Sequence, residues 1–361
     1  MADFTSSLYL GMRHASAELP AWRALTTGRP SVLGRSVPAA EVADRLAALQ
    51  GAQRAVLARS TLHALSDCTE VLAGAGSALV VDAAVYPVGR WAVQRAAGAG
   101  TPVASVAHQN LTDLTRVLGR LRRRGLRAVV VADGVCGGCG RPYPMLGAAA
   151  QVRAHSGILL IDDTQAIGVY GEQAGGAHPF GTGGGGSVRR AGVPFDGIVS
   201  VASLAKAFGA PVTSIAGDAE IVARIEHLGG SAMHSSPPSV VDVAAAARAL
   251  DRNTAHGDLL RDHLATRIRT LRRCSVERDL HLTGGLFPVQ ATPQVSIRTG
   301  RRLLHRLATG GVHAVLRRDC AGGTAIALVL TAIHRLGEVR AAADVLAAAW
   351  LQAGTGVCRE P

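Results

Sequence analysis

The chain has 361 residues, 48% of them hydrophobic and 18% charged, with a net charge of +12. Such a composition excludes a disordered polymer, and the length gives one large domain or two smaller ones a full core. No apolar run approaches the roughly 20 residues that cross a bilayer, and Met1-Ala2-Asp3-Phe4 does not open a secretion signal, so a cytoplasmic protein with no membrane partner is expected. Aromatic residues are only 3%, which argues against stacking platforms for nucleic acid; the positive excess suits an acidic or phosphate-bearing small molecule better.

In chain order, an amphipathic helix is predicted over 39–50. A short strand over 55–57 follows, then a helix over 61–72. Strands over 78–82, 102–106, 128–133, 158–163, 197–202 and 213–217 come next, with helices over 88–96, 111–124 and 146–155 between them. These strands are continuous runs of Val, Ile, Leu and Ala, the mark of strands covered on both faces. The expected fold class is therefore α/β, with a mostly parallel seven-stranded sheet flanked by helices. The glycine-rich stretch 181–190 reads as a flexible insertion. Beyond residue 226 the texture changes: helices over 240–252 and 257–274, short strands near 286–290, 313–316 and 325–330, and a final helix over 336–350. This gives a large domain over 46–225, a smaller α+β C-terminal domain over 226–361, and an N-terminal segment, 1–45, packing with the small domain.

The 38 basic residues include one lysine, Lys206; all others are Arg. A guanidinium stays protonated, whereas a buried ammonium gives up its proton, and only an amine forms a Schiff base. Lys206 sits in Ser203-Leu204-Ala205-Lys206-Ala207-Phe208-Gly209, just after a predicted strand. One strand earlier, Asp162 ends Leu159-Leu160-Ile161-Asp162. Ser60-Thr61-Leu62-His63 opens a helix, whose first N–H groups attract phosphate. A strand-end amine, a strand-end carboxylate and a helix N-terminus are what pyridoxal 5′-phosphate requires: a Schiff-base partner, an anion for the pyridine nitrogen and a phosphate cradle. The pair Cys136-Gly137-Gly138-Cys139 has ligand-like spacing, but the sequence holds no second such pair, so no metal is expected.

The motifs carry a resemblance. Tyr9-Leu10-Gly11-Met12, Asp133-Gly134-Val135, Asp162-Asp163-Thr164-Gln165 with Gly168-Val169-Tyr170-Gly171, Ser203 to Gly209, and Ser235-Ser236-Pro237-Pro238 resemble motifs of the α-oxoamine synthase family. These are fold-type I pyridoxal-phosphate transferases, and the likeness runs almost the length of the chain. It implies that Lys206 holds the cofactor and that Asp162 faces its ring nitrogen. It also implies that Ser203 binds the phosphate with the backbone of Thr61 and Leu62. Ser235 would reach the phosphate of a neighbouring subunit, in a homodimer with shared active sites.

The departures surround the substrate. Tyr86 replaces the ring-stacking His, and Gln165 replaces the His at the cofactor's phenolic oxygen. Gly137 replaces a loop Ser. Residues 325–327 lack the Arg that would pair with the substrate carboxylate, leaving Arg317 or Arg318 as candidates. The activity implied is condensation of an amino acid, through a Cα carbanion, with an acyl thioester such as acyl-CoA or an acyl carrier protein conjugate. Transamination, side-chain elimination or replacement, and a non-catalytic binding protein remain as alternatives.

Overall fold

The computed structural model describes residues 1–353. They form two compact units, one of Met12–Cys136 and Pro142–Asp258, the other of Met1–Gly11, Gly137–Arg141 and the chain from Leu259 onward. The division differs from the expected domains: residues 12–45 and 226–258 cluster with the large unit. Only the first eleven residues join the smaller one, through β1 (Ala2–Asp3).

The first α-helix of the large unit is α1 (Val37–Gln50). Ser36 caps this helix, accepting from the Ala39 N–H at 3.4 Å, and Gly51 ends it at φ 73°, the left-handed turn that glycine adopts without steric cost. Seven strands follow: β2 (Arg54–Ala58), β3 (Ser77–Asp82), β4 (Val103–Val106), β5 (Arg127–Asp133), β6 (Ile158–Asp162), β7 (Ile198–Ser203) and β8 (Thr213–Gly217). They make one sheet in the order β2-β8-β7-β6-β5-β3-β4, parallel except where β8 runs against both neighbours. The expected seven-stranded, mostly parallel sheet is therefore present.

The alternation within β5 shows why the sheet is covered twice. Ala128, Val130 and Ala132 pack with Leu114, Val117, Leu118 and Leu121 of α4 (Leu111–Arg123) and with Ala148 and Val152 of α5 (Met145–Ala154). Val129 and Val131 pack on the other face with Leu65, Cys68 and Leu72 of α2 (Thr61–Leu72) and Val93 of α3 (Pro87–Gly98). Each fully buried Val or Leu stabilises the fold by about 1.5–3 kcal/mol of transfer energy. β4 and β5 lie on opposite sides of β3, so the order of strands reverses there, and such sheets bind ligands beyond the carboxyl ends of their strands.

Two expectations are corrected. The stretch 181–190 is not a loose insertion: Thr182 bridges Glu172, Gly185 bridges Ile167, and it ends in the short helix α6 (Ser187–Arg190). Gly181, Gly185 and Gly186 allow close approach; a Cβ on Gly186 would lie 2.1 Å from Asp163 Oδ2. After α7 (Ala219–Leu228) and α8 (Gly230–His234), the two helices expected over 240–252 and 257–274 are one, α9 (Val240–Val276), 37 residues long. Residues 253–256, the gap between the two expected helices, stay helical; Thr254 returns its hydroxyl to Leu250 O at 3.0 Å, a bond that satisfies the side chain without ending the helix.

The smaller unit pairs β1 in parallel with β10 (Val312–His313). It also forms an antiparallel sheet of β9 (Val289–Ala291), β11 (Val315–Arg318) and β12 (Thr324–Val329) in the order β11-β12-β9. Helices α10 (Ile297–Thr309) and α11 (Leu336–Gln352) complete it. The N-terminal residues are held by side chain as well as backbone: the Phe4 ring, fully buried, stacks on His334 at 4.3 Å.

Candidate active site

Four polar side chains stand at the carboxyl ends of strands in the large unit. Asp82 ends β3, Asp133 ends β5, Asp162 ends β6 and Ser203 ends β7. Asp133 and Asp162 are register partners on adjacent parallel strands, so two carboxylates are held side by side at the carboxyl edge.

Lys206 lies in the turn after β7. That turn is closed by the Leu204 N–H donating to Val212 O at 2.8 Å and anchored by fully buried Leu204, Ala207 and Phe208. The loop of Gly168 packs directly against it: Gly168 has φ 78°, and a Cβ there would sit 2.6 Å from the Ala207 Cβ. The Asp162-to-Gly171 motif and the lysine motif are thus one packed unit, and glycine is required where they touch. The Lys206 Nζ lies 5.8 Å from the centroid of the Tyr86 ring. Tyr86, half exposed, precedes α3, and its backbone N–H donates to Asp133 Oδ2 at 3.0 Å.

The electrostatics follow from burial. Desolvation lowers the pKa of Lys206, and the charges of Asp162 and Asp133 oppose that fall, so the amine is closer to its unprotonated form than a surface lysine. Burial raises Asp162, against hydrogen bonds from the side chain and backbone of Thr164, whose N–H donates to Oδ1 at 3.0 Å, and against the charge of Lys206. Asp133 is pushed well above the carboxylate range, first by burial and then by the charge of Asp162. Of the adjacent pair, Asp162 has the better claim to the negative charge, because two Thr164 bonds and the ammonium favour its ionised form. Asp163 behind it is raised to about 6 by burial, while bonds from Ser187 pull the other way.

Sequence reasoning quoted Thr164 within a motif but gave it no role. The structure shows it as the brace of the site: it holds Asp162 and accepts the Ser203 N–H at 3.0 Å. Asp133 was likewise seen only as a strand end. Gln165 follows Thr164 in a half-buried position. Ser203 Oγ accepts from the Ala205 N–H at 3.3 Å. Thr61 and Leu62 are the first two residues of α2, behind the N-cap Ser60, whose Oγ accepts from the His63 N–H. Ser235 follows α8, donates to Ser231 O at 2.6 Å, and lines a cavity of about 300 Å³ together with Arg59 and His63. In the smaller unit Arg317 is the cross-strand partner of Ala325, so a cation does stand opposite the stretch that lacks one. Its guanidinium, however, donates to the carbonyls of Gly137 and Gly138. Arg318 is exposed.

The family described as aminotransferase class I and II matches residues 3–309. The chain belongs to that family. An 8-amino-7-oxononanoate synthase of Pseudomonas fluorescens is 25% identical to this aminotransferase-family chain over 361 residues, 95% of this chain and 86% of its own length. Among solved structures, a serine palmitoyltransferase from S. paucimobilis with a bound PLP–myriocin aldimine aligns with a TM-score of 0.84 at 18% identity, covering 98% of this chain and 88% of that one. An 8-amino-7-oxononanoate synthase from Francisella tularensis aligns at 0.73 and 15% identity, with 96% of each chain covered. These structural likenesses establish the fold, fold type I.

As a member of the class I and II family the chain is a pyridoxal-phosphate-dependent transferase. Its own residues fit that cofactor: an amine with a lowered pKa, a buried strand-end carboxylate braced toward its ionised form, and the opening turn of α2. Among the described residues no helix is long and apolar enough to cross a membrane.

Proposed function

We propose that this chain joins the Cα of an amino acid to the acyl group of a thioester, the reaction of an α-oxoamine synthase. The observation that carries the reading is the pairing of Lys206 and Asp162 in one packed assembly, in a chain similar over 95% of its length to 8-amino-7-oxononanoate synthase. When bound, the cofactor supplies an electron sink for a Cα carbanion. Lys206 would hold it, and an amine with a lowered pKa would be able to remove or return the Cα proton. Asp162 would keep the ring nitrogen protonated by its negative charge. Ser203 and the N–H groups of Thr61 and Leu62 bind the phosphate, where the helix dipole adds to the attraction. Tyr86 would cover its ring and Gln165 would donate to its phenolic oxygen.

In the bond-making step the new bond joins Cα to the acyl carbon, the C–S bond breaks, and the thiol leaves. The positive surface suits acyl-CoA or an acyl carrier protein, and the working form is a cytoplasmic homodimer in which Ser235 serves the partner's phosphate. Arg317 or Arg318 binds the substrate carboxylate.

The test is incubation of the holoenzyme with amino acids and a series of acyl-CoA thioesters, following thiol release and the mass of the product. Thiol released in step with a ketone product supports condensation. A keto acid formed without thiol release replaces this reading with transamination, which Tyr86 and Gln165, neither carrying a titrating imidazole, leave as the second reading.

A further inference from the structure

Two carboxyl groups stand side by side at the carboxyl edge of the large unit's sheet, and the proposed function uses only one of them. Asp133 ends β5 and Asp162 ends β6, register partners on neighbouring parallel strands. Strands in a sheet lie about 4.8 Å apart, and two carboxyl groups that close do not both ionise freely. Asp162 is the one braced by Thr164. Asp133 takes the backbone N–H of Tyr86, with Oδ2 at 3.0 Å and Oδ1 at 3.3 Å.

That bond matters because packing holds Tyr86 only in part: the residue is 50% exposed. It stands at the N-cap of α3 without a side-chain cap bond, and Pro87, next in the chain, has no N–H to tie the turn down. The residues before it are held. The Ala84 N–H donates to Asp82 Oδ1 at 2.8 Å, the Val85 N–H donates to Asp82 O at 3.0 Å, and the Val85 side chain is buried. Asp133, 47 residues further along the chain, adds the last tie. It does so at the residue whose ring centroid lies 5.8 Å from Lys206 Nζ. All of these residues belong to the large unit.

We propose that Asp133 is a positioning residue of the active site, whose carboxyl group seats the Tyr86 ring over the cofactor by accepting the Tyr86 N–H. The proposal rests on the reading of Tyr86 as the residue that covers the cofactor ring. An uncharged carboxyl group accepts such a bond through its carbonyl oxygen, as a carboxylate does. Burial, and after it the charge of Asp162, push Asp133 well above the carboxylate range, so the neutral form suits the role and leaves Asp162 as the anion of the pair. It also withdraws a charge that would favour the Lys206 ammonium. Asparagine, similar in shape and neutral, can therefore stand in for Asp133 as the acceptor.

The test compares Asp133→Asn, Asp133→Ala, Tyr86→Ala and the double variant Tyr86→Ala/Asp133→Ala as holoenzymes. The readouts are the visible circular dichroism of bound pyridoxal phosphate and the Kd for that cofactor, neither of which needs a substrate, with turnover beside them. Asp133→Ala should weaken the dichroism and raise the Kd about tenfold, since the Tyr86 N–H loses its acceptor. It should lower turnover about 10- to 100-fold as the ring shifts. Asp133→Asn should recover most of each loss, because the amide oxygen takes the N–H. In the Tyr86→Ala background, Asp133→Ala should change the Kd by less than about threefold, because a residue that acts through another is not additive with it; a merely structural role would add in full. Asp133→Leu, which removes the acceptor but keeps the volume, serves in the same comparison if the alanine variant does not fold. Three results would overturn the proposal alone: Asp133→Ala or Asp133→Leu with the parent's dichroism and Kd, full additivity in the double variant, or Asp133→Asn no better than the variants without an acceptor. Tyr86→Ala with the parent's dichroism and Kd would refute the reading of Tyr86 itself, and the proposal with it.

Discussion

Gly168→Ala is a sharp probe of how the lysine is positioned. The added Cβ would stand 2.6 Å from the Ala207 Cβ and 3.2 Å from the Phe208 ring. Carbon atoms rest at about 3.5–4.0 Å, so the two loops must part by about 1 Å. Neither yields easily: the Gly168 N–H donates to Gly184 O at 2.7 Å, and Ala207 and Phe208 are fully buried. Forcing alanine to φ 78° costs about 1–2 kcal/mol, and overpacking a filled site costs about 1–3 kcal/mol. Stability should fall by about 2–5 kcal/mol, read as a lower urea midpoint at unchanged slope. Because Lys206 adjoins Ala207, a shift of about 1 Å should also lower turnover about 100-fold. Gly175→Ala is the control, with nothing within 4 Å of the new Cβ and an expected change within about 0.5 kcal/mol. A Gly168→Ala protein with the stability and turnover of the parent would refute the claim that the two motifs are locked together through this contact.

Asp162→Asn should keep the fold and bound cofactor yet lose at least about 100-fold in turnover, since the negative charge at the ring nitrogen is gone; steady-state kinetics beside an absorbance spectrum checks this. The pKa of Asp163 is raised from 3.8 to about 6. The folded state therefore binds the extra proton, and this group's contribution is full below about pH 4 and lost as pH rises through about 6. At about 1.4 kcal/mol per pH unit that is about 3 kcal/mol. Asp163→Asn should flatten the dependence of urea stability on pH between about 4 and 6, whatever it does to stability overall. Phe4→Ala removes a fully buried ring stacked on His334 and should cost about 3–5 kcal/mol, seen as a lower thermal midpoint. Gly119→Ala, within α4 and with only the tip of Arg123 within 4 Å, should stabilise by about 0.5–1 kcal/mol.

Much of the fold was legible because hydrophobic period and chain punctuation are local signals. The helix over 61–72 and the strand over 213–217 match the structure residue for residue, since Ser60 caps the one and buried residues fill the other. Where signals were ambiguous the reading failed. The stretch 253–256, with Asn253, Thr254 and His256, looks like a break between two helices, yet propagating a helix already formed costs less than starting a new one. Glycines at 181–186 look loose in a sequence, but here Gly186 permits contact with Asp163 and Gly181 with Gly171.

The amino-acid sequence alone pointed to a pyridoxal-phosphate enzyme and singled out one amine, Lys206, and one strand-end carboxylate, Asp162, as its candidate site residues, because residue type and strand order carry that chemistry directly. It did not determine which groups brace them. Thr164 between Asp162 and Ser203, and Gly168 against Ala207, join positions that, apart from Thr164 and Asp162, lie 39 residues apart. Such contacts leave no periodicity in the chain; they exist only once strands and turns have packed and desolvated the groups they bring together.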